Sequence, residues 1–545
     1  MAWLTGWNYR RLLKTDHNKI DADCSDFPVK VIFDEGNFAF AHALETGNDV
    51  RFTASDGETL LKYEREIHGI IDWGKFVGTV DGTYDTYNDS NADYLALRFH
   101  RRGAMNKYAE LDNSIDASSD FVFSYKLYVT GIVMGSSPTY GSVGCIGLSD
   151  NTTNANNHYV GADIVYDADT STKAYVSSRF EGTSPYKGSG FAYSDGIELN
   201  TETTYIIKLS KTGSTLKVAV CNASDEELWS DTATASTTPT LTYLKIWDYT
   251  PGYGSPYVDF RLSDFYNGST EETFTLKSAV YHVKLPTASS TSDTEFYCYY
   301  GKSDASDGAD GENVWDSNYA LVHHMGADCL DSTSNDNDGT NSGTTLGLVR
   351  GGYCRRFSGS SQYITYPTLG IFDGTGQFTF ELHYNQSVGG TQQIISAYGE
   401  NQLQIQTGEN QNANILHARA NVSSTWSDYV IASAHDYGTW YVASISYHPT
   451  SGWVLARGGA SLDTDASTGA ISTRDRYNVI GARRDTSAFD RFYNGLLSEV
   501  RISSTARSLA WHKATYHSLA DTLLTYGAEE ALTPTARPRV MVVWA

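Results

Sequence analysis

Period-two alternation, with almost no sustained helical periodicity, runs the length of this chain. The segments 121-FVFSYKLYV-129, 205-YIIKLS-210, 215-TLKVAV-220, 378-FTFELHY-384 and 440-WYVASISY-447 place apolar side chains at alternate residues, and each is bounded by Gly, Asn, Asp, Ser or Pro. Successive side chains of a strand point to opposite faces, so each segment has an apolar face to bury. The one respectable helical pattern is short, 505-TARSLAWHKATYHS-518. The pattern predicts an all-β protein built of multiple β-sandwiches of jelly-roll type.

A chain of 545 residues is too long for one core; at about 100–200 residues per domain it holds three or four. Residues 1–69 and 271–306 read as one N-terminal β-domain, interrupted by a sandwich at 70–270, since a surface loop tolerates such an insertion. A second sandwich follows at 314–520. The two sandwiches run in the same order. Each has an early strand (120-DFVFSYKLYV-129; 376-GQFTFELHY-384), a hairpin with a Gly-containing turn, and a late strand (257-YVDFRLSDFYNG-268; 494-NGLLSEVRISS-504). Residues 521–545 read as a tail ending in the apolar VMVVWA. Such an end is a hazard unless it pairs or docks, which points to an assembly component, a homo-oligomer.

Acidic residues outnumber basic ones, 64 to 40, for a net charge of −24. No Lys/Arg cluster forms the basic patch that nucleic-acid binding needs. No run approaches 18 apolar residues, so no helical membrane span is expected. The opening MAWLTGWNYRRLLKTD lacks the apolar stretch of a signal peptide. None of the six cysteines forms CxxC, which argues against a cysteine-based zinc site. Cys329 and Cys354 flank an acidic loop and are candidates to pair in an oxidising compartment. The 38 tyrosines suit half-exposed sheet faces and sugar stacking.

The string GWNYRR…DFPVKV…NDVRFTASDGETLLKYEREI…AVYHVKLP…SDTEFYCYYGK resembles an uncharacterised bacterial and phage β-domain family that begins W-x-Y-R. In that family the domain is typically followed by V-W-x-x-N-Y, here 314-VWDSNYALVHHM-325, and then by a laminin-G-like, concanavalin A-like sandwich. The segments 331-DSTSNDNDGTNSG-343, 357-FSGSSQYITYP-367, 437-YGTWYVASISY-447 and 495-GLLSEVRISSTARS-508 resemble that second family. The inserted sandwich matches only in general character.

The loop 331-DSTSNDNDGTNSG-343 offers Asp331, Asn335, Asn337 and Asp338 as oxygen donors. Calcium takes six to eight such oxygens. The loop is not an EF-hand, because Asp336 stands where that motif needs glycine. The laminin-G resemblance implies a structural calcium site completed by the acidic residue of the late strand, Glu499. Read from its residues alone, the loop is equally a turn whose Asx side chains cap their own backbone. His323 and His324 are neighbours on a strand and face opposite sides, as structural histidines would. Glu381 and His383 share a face, but the E-x-D-x-E signature of glycanases is missing. Tyr186, Tyr249, Tyr253 and Tyr257 sit in Gly/Pro-rich loops where a flat ring suits a sugar.

These features set three expectations. The first is a non-catalytic virion structural protein of a tailed phage or similar virus (tail fibre, spike or capsid decoration). Its lectin-like domains would meet cell-surface glycans and other virion proteins at the virion surface. The second is a cellular surface carbohydrate-binding protein, and the third a glycan hydrolase.

Overall fold

The computed structural model describes the chain apart from residues 1–2, 73–76, 80–94, 101–105, 134–140, 151–158, 168–172, 182–195, 249–256, 272–275, 327, 350, 370–375, 398–402, 410–411, 424, 433, 472–477, 486–487 and 533–545. It is β throughout, with a single α-helix, Leu509–Leu519, among the described residues. The chain divides into two compact units, Met1–Ile70 with Lys277–Ala545, and Ile71–Leu276.

The inserted unit is a sandwich of two seven-stranded sheets. In one, the early strand Phe121–Val133 lies between the hairpin Thr203–Thr212/Thr215–Cys221 and the late strand Tyr257–Asn267. Phe123, Tyr125, Leu127 and Val129 alternate along the early strand and are all buried in the unit's core. Period two thus produces one apolar face, and the facing sheet supplies Ile146, Leu148, Ile164 and Val176 to meet it.

The larger unit contains a second sandwich with the same strand order. Phe378–Gln386 lies between the hairpin Trp440–His448/Gly452–Arg457 and the late strand Asn494–Ser503. The facing sheets match as well. The order Gly141–Ser149, Val160–Asp167, Lys173–Phe180, Ile197–Leu199 in the insertion corresponds to Gln392–Ala397, Leu403–Glu409, Asn412–Val422, Thr425–Ile431 here. The expected repeat of one architecture therefore holds strand by strand.

The N-terminal β-domain packs with this second sandwich as one unit. Its three-stranded sheet runs Cys24–Asp34, Leu276–Ala288, Tyr63–Asp72, so the insertion leaves and returns on neighbouring strands. Phe27, Val29, Val31 and Phe33 fill the core on one side, as do Tyr281 and Val283. Lys30 and His282, paired across the sheet, occupy the alternate positions and face the other way. The helix, expected at 505–518, starts where Ser508 accepts a bond from the Trp511 amide. Its Trp511 and Ala514 join the N-terminal core.

The tail is shorter than 521–545. Leu524–Ala531 is an edge strand pairing with Tyr9–Thr15, and Glu529 and Glu530 bind Tyr300 and Arg10. Backbone groups of a stray strand need partners, and the N-terminal sheet provides them. The VMVVWA end lies outside the described residues. Cys329 and Cys354 do not pair: all six cysteines are buried thiols.

Candidate functional site: an acidic loop, a buried ion network and a groove

In the 331–343 loop, Asp331 is 8% exposed and its carboxylate is fully used by the loop. Oδ1 accepts from the Val322 and Thr333 amides, and Oδ2 from the Thr333 hydroxyl and the Asn337 amide, at 2.8–3.0 Å. Burial holds this carboxyl above its usual range in spite of those bonds. Asp338 accepts from the Asp331 amide. The Asn335 and Asn337 side chains donate to the Tyr319 and Ala320 carbonyls. The arrangement is a self-capping turn.

Glu499 is not part of that loop. It is fully buried, 2.8 Å from His324 and 2.7 Å from the guanidinium of Arg501. Both oxygens of Asp331 and Oδ1 of Asp338 are thus engaged within the protein, the Asn335 and Asn337 bonds use their Nδ2 groups, and Glu499 is placed elsewhere, so the nominated residues do not come together as one ligand set. Replacing Asp331 with Ala should strand four donors and cost about 2–3 kcal/mol, read as a lower Tm that is the same in excess calcium and in chelator. A chelator effect on the wild type that vanishes in Asp331→Ala would reverse this reading.

Glu499 belongs to a buried ion network. The N-terminal sheet contributes Lys30, Glu64, Glu66 and His282, and the sandwich contributes His324, Glu499 and Arg501. Lys30 Nζ is 3.2 Å from Glu66 and 4.0 Å from Glu499. His282 Nε2 is 3.1 Å from Glu66, and His324 Nε2 is 3.2 Å from Glu64. Glu64 also accepts from the Trp315 indole and the Ser332 hydroxyl. Arg501 lies over the Trp315 ring at 4.8 Å.

Burial alone would push Glu499 up, but the charges on His324 and Arg501 outweigh it and hold the carboxylate well below its usual range. The same logic inverts for His324. Burial disfavours its charge, yet Glu499 and Glu64 raise it to about 10. His323, one residue away, faces the sandwich interior and bonds the Tyr366 hydroxyl; burial drives it down to about 3. The two histidines do face opposite sides.

Glu66, His282, His324 and Glu499 bring ligand-type atoms within 4.8 Å of one another. A metal-binding histidine must be unprotonated. Here the carboxylates of Glu499 and Glu64 favour the charged form of His324, while burial holds His282 in its neutral form, so the cluster reads as an ion network around His324, Glu499 and Arg501. Glu381 is likewise occupied: buried, it accepts from Tyr319, Trp511 and Thr515.

On the outer face of the same sheet, the Trp440–His448 and Gly452–Arg457 strands and the end of the helix enclose a groove of about 980 Å³, lined by His383, Trp440, Tyr441, Tyr516, Arg457 and Asp521 among others. Of the tyrosines singled out in the sequence, Tyr186, Tyr249 and Tyr253 lie outside the described residues. Tyr257 begins the strand Tyr257–Asn267, its backbone paired with Val133 and His100.

The second sandwich and its strand order define a concanavalin A-type domain. Residues 358–511 match the family model of the concanavalin A-like lectin/glucanases superfamily. No curated protein sequence matches the chain. Among solved structures, domain 4 of the arabinanase AbnA from Geobacillus stearothermophilus, in complex with arabinotriose, is similar at 16% identity and TM-score 0.30, over 36% of this chain and 96% of that one. The botulinum neurotoxin serotype D binding domain aligns at 11% identity and TM-score 0.30, over 37% of this chain. The chain spans about half of that domain's length, 51%. The SAP-like pentraxin of Limulus polyphemus aligns at 15% identity and TM-score 0.23, over 29% of this chain and 79% of that one.

Proposed function

We propose that the chain is a non-catalytic glycan adhesin of a virus particle, a tail-fibre, spike or decoration component of a tailed phage or similar virus that forms a homo-oligomer with other virion proteins. The observation that carries the glycan-binding part is the family match over residues 358–511, a lectin/glucanase-type sandwich. One feature favours binding over hydrolysis, and a second bears on where the chain folds. Glu381 and Glu499, the buried acids of the Phe378–Gln386 and Asn494–Ser503 strands, are sequestered by structural partners. The six buried thiols suit folding in a reducing compartment, as inside a host cell before particle release.

The test exposes the purified full chain to a glycan array and to intact bacterial surface polysaccharide, with reducing-sugar release measured in parallel. Binding without release is the expected result. Release would move the chain to the hydrolases, and no binding on either surface would reduce the sandwiches to spacers.

A further inference from the structure

We infer that the groove lined by Trp440, His383 and Tyr516 is a saccharide-binding site for an uncharged sugar ring, an assignment that rests on the glycan-adhesin reading and locates it. The groove's 980 Å³ falls at the top of the range of small-molecule sites, roughly 300–1,000 Å³. Its wall is built by three different parts of the fold: the sandwich strands, the end of the helix, and Ile32 of the N-terminal sheet. A pocket held by three rigid elements keeps its shape without a ligand.

Its lining combines flat rings with unused polar groups. Trp440 and Tyr516 present aromatic surface, the amphipathic kind that covers an apolar ring face and hydrogen-bonds at its edge, whereas Tyr441, next along the strand, turns its ring to the sandwich interior against Tyr384. Trp440 and His383 pack at 4.6 Å between centroids. Tyr441 is already engaged: its hydroxyl accepts from the Asp436 amide, and its ring carries the Arg457 guanidinium at 4.9 Å. The Trp440 indole N–H, the Tyr516 hydroxyl and the His383 imidazole have no hydrogen-bond partner among the described residues. Burial holds His383 neutral, down to about 3, so at neutral pH its ring offers one donor and one acceptor.

A sugar ring matches this set. Its C–H face covers an aromatic ring while its hydroxyls both donate and accept. Arg457 turns its guanidinium away, onto the Tyr441 ring and the Ala434 carbonyl, which leaves Asp521 as the charged side chain of the wall and, among the described residues, no cation there to select an anionic sugar. A purely apolar ligand would leave the three polar groups buried and unpaired, which is unfavourable.

The experiment is a glycan array of neutral, amino and acidic oligosaccharides, probed with the full chain, Trp440→Ala and Tyr516→Ala, with Tm measured for each. The expected result is binding to neutral glycans that falls by about tenfold or more in both variants at unchanged Tm. If one variant unfolds, the other decides. Wild-type binding that both folded variants retain would overturn the groove while leaving the adhesin reading in place. Binding confined to acidic glycans would overturn the ligand class. Binding to no glycan would remove both readings.

Discussion

Lowering the pH from 7 to 5 should strongly destabilise the larger unit. His323 and His383 are driven down to about 3, and His435 and His512 to about 4, in each case chiefly by burial. An unfolded histidine titrates near 6.5. Between that value and the folded value the unfolded chain holds more protons, so the stability these groups give is complete above pH 6.5 and is lost as pH falls. At pH 5 each contributes a loss of about 2 kcal/mol, or about 8 kcal/mol for four. That is comparable to the whole stability of a typical domain, about 5–15 kcal/mol.

His324 acts with the opposite sign. Raised to about 10, its contribution is complete below pH 6.5 and fades as pH rises toward 10. Stability should therefore peak in a narrow window around pH 7. Urea midpoints at pH 9, 7, 6 and 5 read this directly, and a midpoint that stays flat from pH 7 to 5 would show that the histidines accept protons in the folded state.

Glu499→Ala should cost about 3–5 kcal/mol, the typical consequence of removing one partner of a buried ion pair. The substitution leaves Arg501, fully buried, and the imidazolium of His324 without their nearest anion. Most of the loss would come from the charges left behind. Removing charge on both sides, with Glu499→Leu and Arg501→Met together, should therefore recover much of it. A double-mutant cycle by urea unfolding gives the coupling energy. A single Glu499→Ala that costs under about 1 kcal/mol would mean that water reaches the network, contrary to its burial.

The strands were legible because alternation is local. The parallel order of the two sandwiches could be read from hairpin and late-strand patterns before any pairing was known. The ion network was not legible. Lys30 in 26-DFPVKVIF-33 and His282 in 279-AVYHVKLP-286 stand at the polar positions of alternating strands, where a charge ordinarily faces water. Only the register that pairs Lys30 with His282, and the sandwich that covers them, turns that face inward. The sole available signal was the coincidence of Lys30, Glu64, Glu66 and His282 on strands of one small domain.

Glu499 was singled out for the wrong partner. Resemblance tied it to the acidic loop, whereas Arg501, two residues along the same strand and hence on the same face, was the partner that strand geometry offered. The strand Leu524–Ala531 was missed for a different reason: its pairing partner lies at the far end of the sequence.

The insertion departs from Tyr63–Asp72 and re-enters on Leu276–Ala288, strands that pair with each other. Whatever occupies that interval meets the host domain at two adjacent ends, so closing it demands little of the scaffold. The interval therefore works as a cassette. Recombination that replaces one sandwich with another of different surface leaves the core residues of both flanking strands intact. A different sandwich can thus be carried at this position without refolding the domain that holds it.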